Sequence, residues 1–225
     1  RIGTRWTARV PLNRLTAVAG VRGVLRMRAA ARVHPALDLS TVDTRAALVQ
    51  GGQPDTARGA TGEGVLVGVV DTGIDWTHPD FKTTAGLTRI AGIWDQGDSV
   101  GPHPPGFTYG TEWNEAQINL GLCRERDSTY YGHGTHVSGI AAGNGRATGN
   151  GKPPFTYVGV APRARLAVVN TTFYDTQIAE GVAWIFQKAA QLNLPAVANL
   201  SLGSAYGPHD GTSELDVAMN ALSGP

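Results

Sequence analysis

The chain has 225 residues, 41% hydrophobic and 16% charged, with a formal net charge of +1. That length can enclose one substantial core, and that composition excludes a disordered chain. The 30 glycines follow no fixed period, which excludes a collagen-like or linker sequence, and no apolar run reaches the ~18 residues that a membrane-spanning helix needs.

Charge is unevenly spread. Residues 1–40 carry Arg1, Arg5, Arg9, Arg14, Arg22, Arg26, Arg28 and Arg32 against Asp38 alone, so the remainder is net acidic. These arginines are interleaved with Val10, Leu12, Leu15, Val18, Val21, Val24 and Leu25. A nucleic-acid arm needs no such apolar residues, so the pattern points to a basic subdomain docked on an acidic surface, with no nucleic-acid partner. Within it, a strand is expected at Trp6 to Val10, a helix at Pro11 to Val18 and a second strand at Val24 to Met27. Ala29 to Gln53 reads as a connector holding a short helix near Thr44 to Val49, with the subdomain boundary between Val33 and Thr44.

Beyond the glycine-rich turn 59–64, Val65 to Val70 is a continuous apolar run, the pattern of a strand covered on both faces. Further strands are expected at Arg89 to Trp94, Arg165 to Val169 and Ala196 to Leu202. Helices are expected at Glu115 to Leu120, His133 to Ala142, Thr176 to Leu192 and Ser213 to Leu222. Strand and helix alternate, which implies right-handed crossovers and an α/β fold with a mostly parallel, doubly wound sheet. In the helix from Thr176, Ile178, Val182, Ile185, Ala189 and Leu192 make a stripe broad enough to pack on that sheet.

Two motifs carry chemistry. Val69-Val70-Asp71-Thr72-Gly73-Ile74-Asp75 ends an apolar strand on an aspartate, at the carboxyl edge where parallel sheets collect ligands. Taken alone, Asp71 could equally cap its own turn. Gly132-His133-Gly134-Thr135-His136-Val137-Ser138-Gly139 opens a helix on a histidine. Its small residues suit close backbone packing better than helix stability. A histidine placed there, with a carboxylate nearby, suits a general base. His136 is expected to be a buried structural histidine, and the His-x-x-His spacing lacks the glutamate of a zinc protease. Cys123 matches no cysteine-enzyme signature and has no disulfide partner in the chain.

With Asn199-Leu200-Ser201-Leu202-Gly203 following in the same order, these motifs resemble the subtilase family of serine endopeptidases over roughly residues 59–225. The resemblance implies a subtilisin-like fold. It also implies that Asp71 orients His133, that His133 deprotonates a serine, and that Asn199, Ser201, Leu202 and Gly203 bind an extended peptide or protein substrate. Residues 1–40 resemble a prodomain remnant and linker whose end runs through the substrate cleft, and 41–225 the N-terminal part of a catalytic domain. No cofactor is implied for the chemistry and no metal ligand is assigned. A structural calcium near Asp80, in His78-Pro79-Asp80, is what the resemblance allows, and secretion or a cell-envelope location is the family's habit.

The sequence departs from the family in one respect. No Gly-Thr-Ser-Met-Ala motif and no strand carrying an oxyanion asparagine follow the substrate segment. Gly211-Thr212-Ser213 is continued by Glu214-Leu215-Asp216, so Ser213 reads as a helix N-cap rather than a nucleophile. The serine is therefore expected in a further segment or second chain, the remaining C-terminal part of the same protease, and these 225 residues alone are expected to be inactive. Two alternatives stand beside this reading: a catalytically inactive subtilase fold kept as a binding module, and an aspartic protease, whose signature also contains Asp-Thr-Gly but requires a second such aspartate.

Overall fold

The structure, a computed structural model, describes residues 7–29, 34–35, 49–51, 59–127, 131–147, 153–155 and 157–223. A 3-10 turn (Leu12–Arg14) leads into α1 (Leu15–Ala19), followed by β1 (His34–Pro35), β2 (Leu66–Asp71), β3 (Ile90–Asp95), β4 (Thr111–Asn114) and α2 (Glu115–Asn119). Then come α3 (His133–Ala142), β5 (Arg165–Asn170), α4 (Asp175–Leu192), β6 (Ala196–Asn199), β7 (Leu202–Gly203) and α5 (Glu214–Leu222). The main sheet has the order β4-β3-β5-β2-β6. All its pairings are parallel except that of β4 with β3.

The apolar run of β2 forms the middle of the core because both its faces are covered. Val67 and Val69 pack on one side with Val137 and Ala142 of α3, whereas Leu66 and Val70 pack on the other with Ile178, Val182 and Ile185 of α4. β5 repeats this division, with Leu166 and Val168 on the α3 side and Ala167 and Val169 on the α4 side. Burying one such side chain stabilises the fold by about 1.5–3 kcal/mol. Gly68 lies on the α4 face at its tightest point, since a Cβ there would stand 2.4 Å from Ile185 Cγ2.

The ends of these elements have local causes. Helix α2 starts at a reciprocal capping box between Asn114 and Gln117, and α5 at another between Ser213 and Asp216. Ser213 is thus the N-cap expected of it. Helix α4 ends at Asn193, whose left-handed backbone (φ 52°) stops it. The strand expected from Ala196 to Leu202 is two pieces, because the chain leaves the sheet after Asn199 and residues 202–203 pair elsewhere. His34 pairs antiparallel with Gly203, and Pro35 with Leu202.

The N-terminal expectations divide. The helix over 11–18 is present, but residues 7–10 and 24–27 are irregular, and Trp6 lies outside the described residues. A strand needs a neighbour for its N–H and C=O groups, and neither segment has one among the described residues. Leu12 and Leu25 are 86% and 98% exposed, so the described part of this region builds no core of its own. Acidic partners hold it instead. Arg28 pairs with Asp175 and Arg26 with Glu214 at 3.8 Å; Thr7 bonds Glu180, and Arg9 lies over the Tyr109 ring. Of the expected helix near Thr44 to Val49, residues 44–48 lie outside the described residues, and 49–50 are helical. β4 was not expected: it is a short, half-buried strand between β3 and α2.

Gly68→Ala is expected to lower stability by about 1–3 kcal/mol through overpacking, read as a lower urea midpoint. Adding Ile185→Val is expected to restore part of the loss, because it removes one of the atoms the new methyl group strikes.

Candidate active site

Alternation along β2 puts Asp71 on the same face as Val67 and Val69, the face that α3 covers. Asp71 is therefore aimed at the helix that begins with His133. Gly132, with φ 79°, takes the left-handed N-cap position. His133 is the first helical residue, and its Nδ1 lies 2.8 Å from Asp71 Oδ1. The same oxygen accepts the Thr72 N–H at 2.7 Å. Asp71 is fully buried and the His133 side chain is 14% exposed.

Around this pair, the first turn of α3 has its free N–H groups satisfied by the chain that faces it. Gly134 N–H donates to Thr72 Oγ1 at 2.8 Å, and Thr135 N–H to Asp127 Oδ2 at 2.7 Å. Asp127 Oδ1 in turn accepts from Thr72 Oγ1 at 2.6 Å, and Thr135 Oγ1 accepts the Asp75 N–H at 2.7 Å. Close approach of two backbones makes this possible. A Cβ on Gly134 would stand 2.2 Å from Gly73 O, so the small residues of the motif are required where it meets the turn.

Hydrogen bonding assigns the proton, since Asp71 Oδ1 already accepts the Thr72 N–H. Burial raises the Asp71 carboxyl above its ordinary value, opposed by hydrogen bonds from His133 and the Thr72 amide. As a carboxylate it only accepts, so Nδ1 carries the hydrogen and Nε2 is the basic nitrogen. Nε2 has no hydrogen-bond partner among the described residues. The pair can therefore take a proton from a neighbouring hydroxyl, with Asp71 stabilising the imidazolium that forms. Its partner being an imidazole, Asp71 does not make the paired-carboxylate site of an aspartic protease.

The segment expected to bind substrate lies at the same edge of the sheet. Val69 is in register with Asn199, and the Asn199 Nδ2 donates to Ser201 Oγ at 2.9 Å. The pairing of Leu202–Gly203 with His34–Pro35 occupies that segment's main chain. Residues 199–203 are joined to Asp71 through this register, not by a side-chain bond among those described.

Other candidates are placed away from the chemistry. His136, expected to be buried, is exposed. Cys123 is buried and its thiol is pushed up to about 12, chiefly by burial, so it is an inert core residue at neutral pH. Asp80 Oδ1 accepts the Ala147 N–H at 2.6 Å, and its carbonyl accepts from Arg89 and Asn144. Arg146 donates to Thr83 O nearby. The described residues contain no group of three or more His, Cys, Asp or Glu arranged for a metal, and no helix among them is long and apolar enough to cross a membrane.

Two contributors escaped the sequence reading. Asp127 clamps Thr72 to Thr135, and Glu125, 1% exposed, accepts the Ile74 N–H and the Asn170 side chain beneath the Asp71 turn. The one signal available was two acids close ahead of the histidine motif, a region otherwise rich in arginine.

Comparison with known proteins identifies the family. The chain is 31% identical over 173 residues to the subtilisin-like protease PopC of Myxococcus xanthus, covering 73% of this chain and 30% of that protein. It is 34% identical over 171 residues to subtilisin BL of Lederbergia lenta, covering 74% and 46% respectively. The structure of the Clostridium perfringens CspB protease matches 80% of this chain and 38% of its own, at 32% identity and a TM-score of 0.60. The chain thus spans less than half the length of each of these relatives. The sequence pattern of the subtilase family matches residues 62–224, taking in the Asp71 strand, the His133 helix and the 199–203 segment together, and the chain belongs to that family.

Proposed function

We propose that the protein is a serine endopeptidase of the subtilisin type, in which Asp71 and His133 form a triad with a serine carried by polypeptide outside residues 1–225. The 2.8 Å contact between His133 Nδ1 and Asp71 Oδ1 carries this reading, because it orients Nε2 as the base that activates such a serine. Membership of the subtilase family supports the reaction class. The sheet offers a place for the added polypeptide: β6 is an edge strand, and Val197 on it is 63% exposed. The oxyanion asparagine belongs to that same further segment.

The substrate is an extended peptide bound by Asn199, Ser201, Leu202 and Gly203. What supports this is the antiparallel pairing of β7 with β1, since a strand of the chain itself already uses the main chain of 202–203. A Cβ on Gly203 would meet nothing within 4 Å, which leaves room for a bound side chain. Residues 1–40 then act as a prodomain remnant that competes with substrate, tethered by Arg26 and Arg28 to Glu214 and Asp175. Residues 41–225 form the N-terminal part of the catalytic domain, and the enzyme works secreted or at the cell envelope.

A fluorophosphonate probe is expected to label the serine-bearing protein, and His133→Ala to abolish labelling. Asp71→Asn is expected to lower kcat by about ten-thousandfold by leaving the imidazole in the wrong tautomer. Residues 1–225 alone are expected neither to label nor to cleave peptides; labelling of this fragment would refute the missing-serine reading. Reversing Arg26 and Arg28 to Glu in a leader peptide is expected to weaken its inhibition of the mature enzyme by about tenfold or more, because like charges then face one another.

A further inference from the structure

Beneath the Asp71 turn lies a buried carboxyl group that proton transfer does not use. Gly73, at φ 110°, is pressed between two neighbours: Gly134 of α3 on one side and Glu125 on the other. A Cβ on Gly73 would stand 1.9 Å from Glu125 Oε1. That oxygen accepts the Ile74 N–H at 3.3 Å and the Asn170 Nδ2 hydrogen at 3.2 Å. Asn170 is itself the backbone partner of Asp71 and Thr72. Through its main chain, Glu125 also holds the Trp76 indole at 3.1 Å. One side chain thus ties the turn after β2 to the end of β5 and to the loop whose Asp127 clamps α3.

Glu125 Oε2 is buried and has no hydrogen-bond partner among the described residues. The charged groups facing it are mostly of its own sign: Asp95 from the end of β3 and Asp127 from its own loop. Cys123, in the same loop, is protonated at neutral pH. From β5 comes only the neutral Asn170 amide, and the Asp71–His133 pair lies on the far side of the turn. Arg126 is the cation beside it, but its NH1 goes to the carbonyls of Cys123 and Glu125, and its guanidinium lies over Trp76. Burial first, then Asp95 and Asp127, push the Glu125 carboxyl from its ordinary 4.5 up to about 8, against the Ile74 and Asn170 hydrogen bonds.

We propose that Glu125 is a positioning residue for the Asp71–His133 pair, that it acts as the neutral acid, and that its ionisation sets the alkaline limit of hydrolysis. The inference rests on the serine-peptidase reading above. As the neutral acid, Glu125 keeps Oε1 as an acceptor for the turn without placing a charge among carboxylates. Once ionised, it gains by moving towards water, and Ile74, Asn170 and the Gly73 contact move with it. The folded protein keeps this proton to a higher pH than the unfolded chain does. Its contribution to stability is therefore full below about pH 4.5 and is lost as pH rises towards about 8.

The test is the pH dependence of kcat and KM on the serine-bearing protein, comparing wild type with Glu125→Gln and Glu125→Leu. Wild-type kcat is expected to fall through an alkaline limb near pH 8. Glu125→Gln, which keeps an acceptor and cannot ionise, is expected to stay within about threefold at neutral pH and to lose that limb. Glu125→Leu, without an acceptor, is expected to lower kcat about a hundredfold at unchanged KM. If the leucine variant fails to fold, the glutamine profile decides. A glutamine profile that superimposes on wild type, limb included, or a wild type without a limb, overturns the inference. A wild type that hydrolyses nothing overturns the serine-peptidase reading instead. The proton resonance of His133 Nδ1–H then decides for Glu125: it is expected to weaken above about pH 8 in wild type and persist in Glu125→Gln, and identical behaviour in both refutes the role.

Discussion

Everything at the site depends on the contact between the turn that follows β2 and the first turn of α3. Gly73 and Gly134 meet there: a side chain on Gly134 would strike the Gly73 main chain, and one on Gly73 would strike the Glu125 carboxyl. This contact brings Thr72 within reach of the Gly134 amide and Asp71 within reach of the His133 ring. The helix opens with its N–H groups already matched to Thr72 and Asp127, so the imidazole is held by the main chain of its own element. Register matters here, because a slip of one residue along β2 would turn Asp71 to the α4 face, away from His133.

Much of this was legible in the sequence because it depends on local patterns. The run from Val65 to Val70 reads as a strand covered on both faces, and the small residues after His133 read as a helix pressed on a neighbour, as both proved to be. The broad stripe on α4 placed it on the sheet, and Ser213 with Asp216 marked the start of α5. These are one-dimensional signals with short-range causes: period, capping and residue size.

What stayed hidden depends on contacts distant in sequence. Residues 7–29 have the apolar content of a small folded unit, yet they are held through arginines on acids more than a hundred positions away, and no spacing rule reports that. Strand β4 is too short and too mixed to stand out from the residues around it. The exposure of His136 is set by which side of α3 the sheet leaves open, and Glu125 and Asp127 become informative only once β2 and β5 stand beside them. A single acid in a loop carries no period, so its role emerges from folding alone.

Because the Asp71 turn and α3 meet glycine to glycine, hard-sphere repulsion between peptide groups fixes the spacing of the pair, and no rotamer can slacken it. Side chains elsewhere in the core can exchange for others of similar volume while this separation holds. The pair is accordingly brittle at Gly134, a position that bears no functional group.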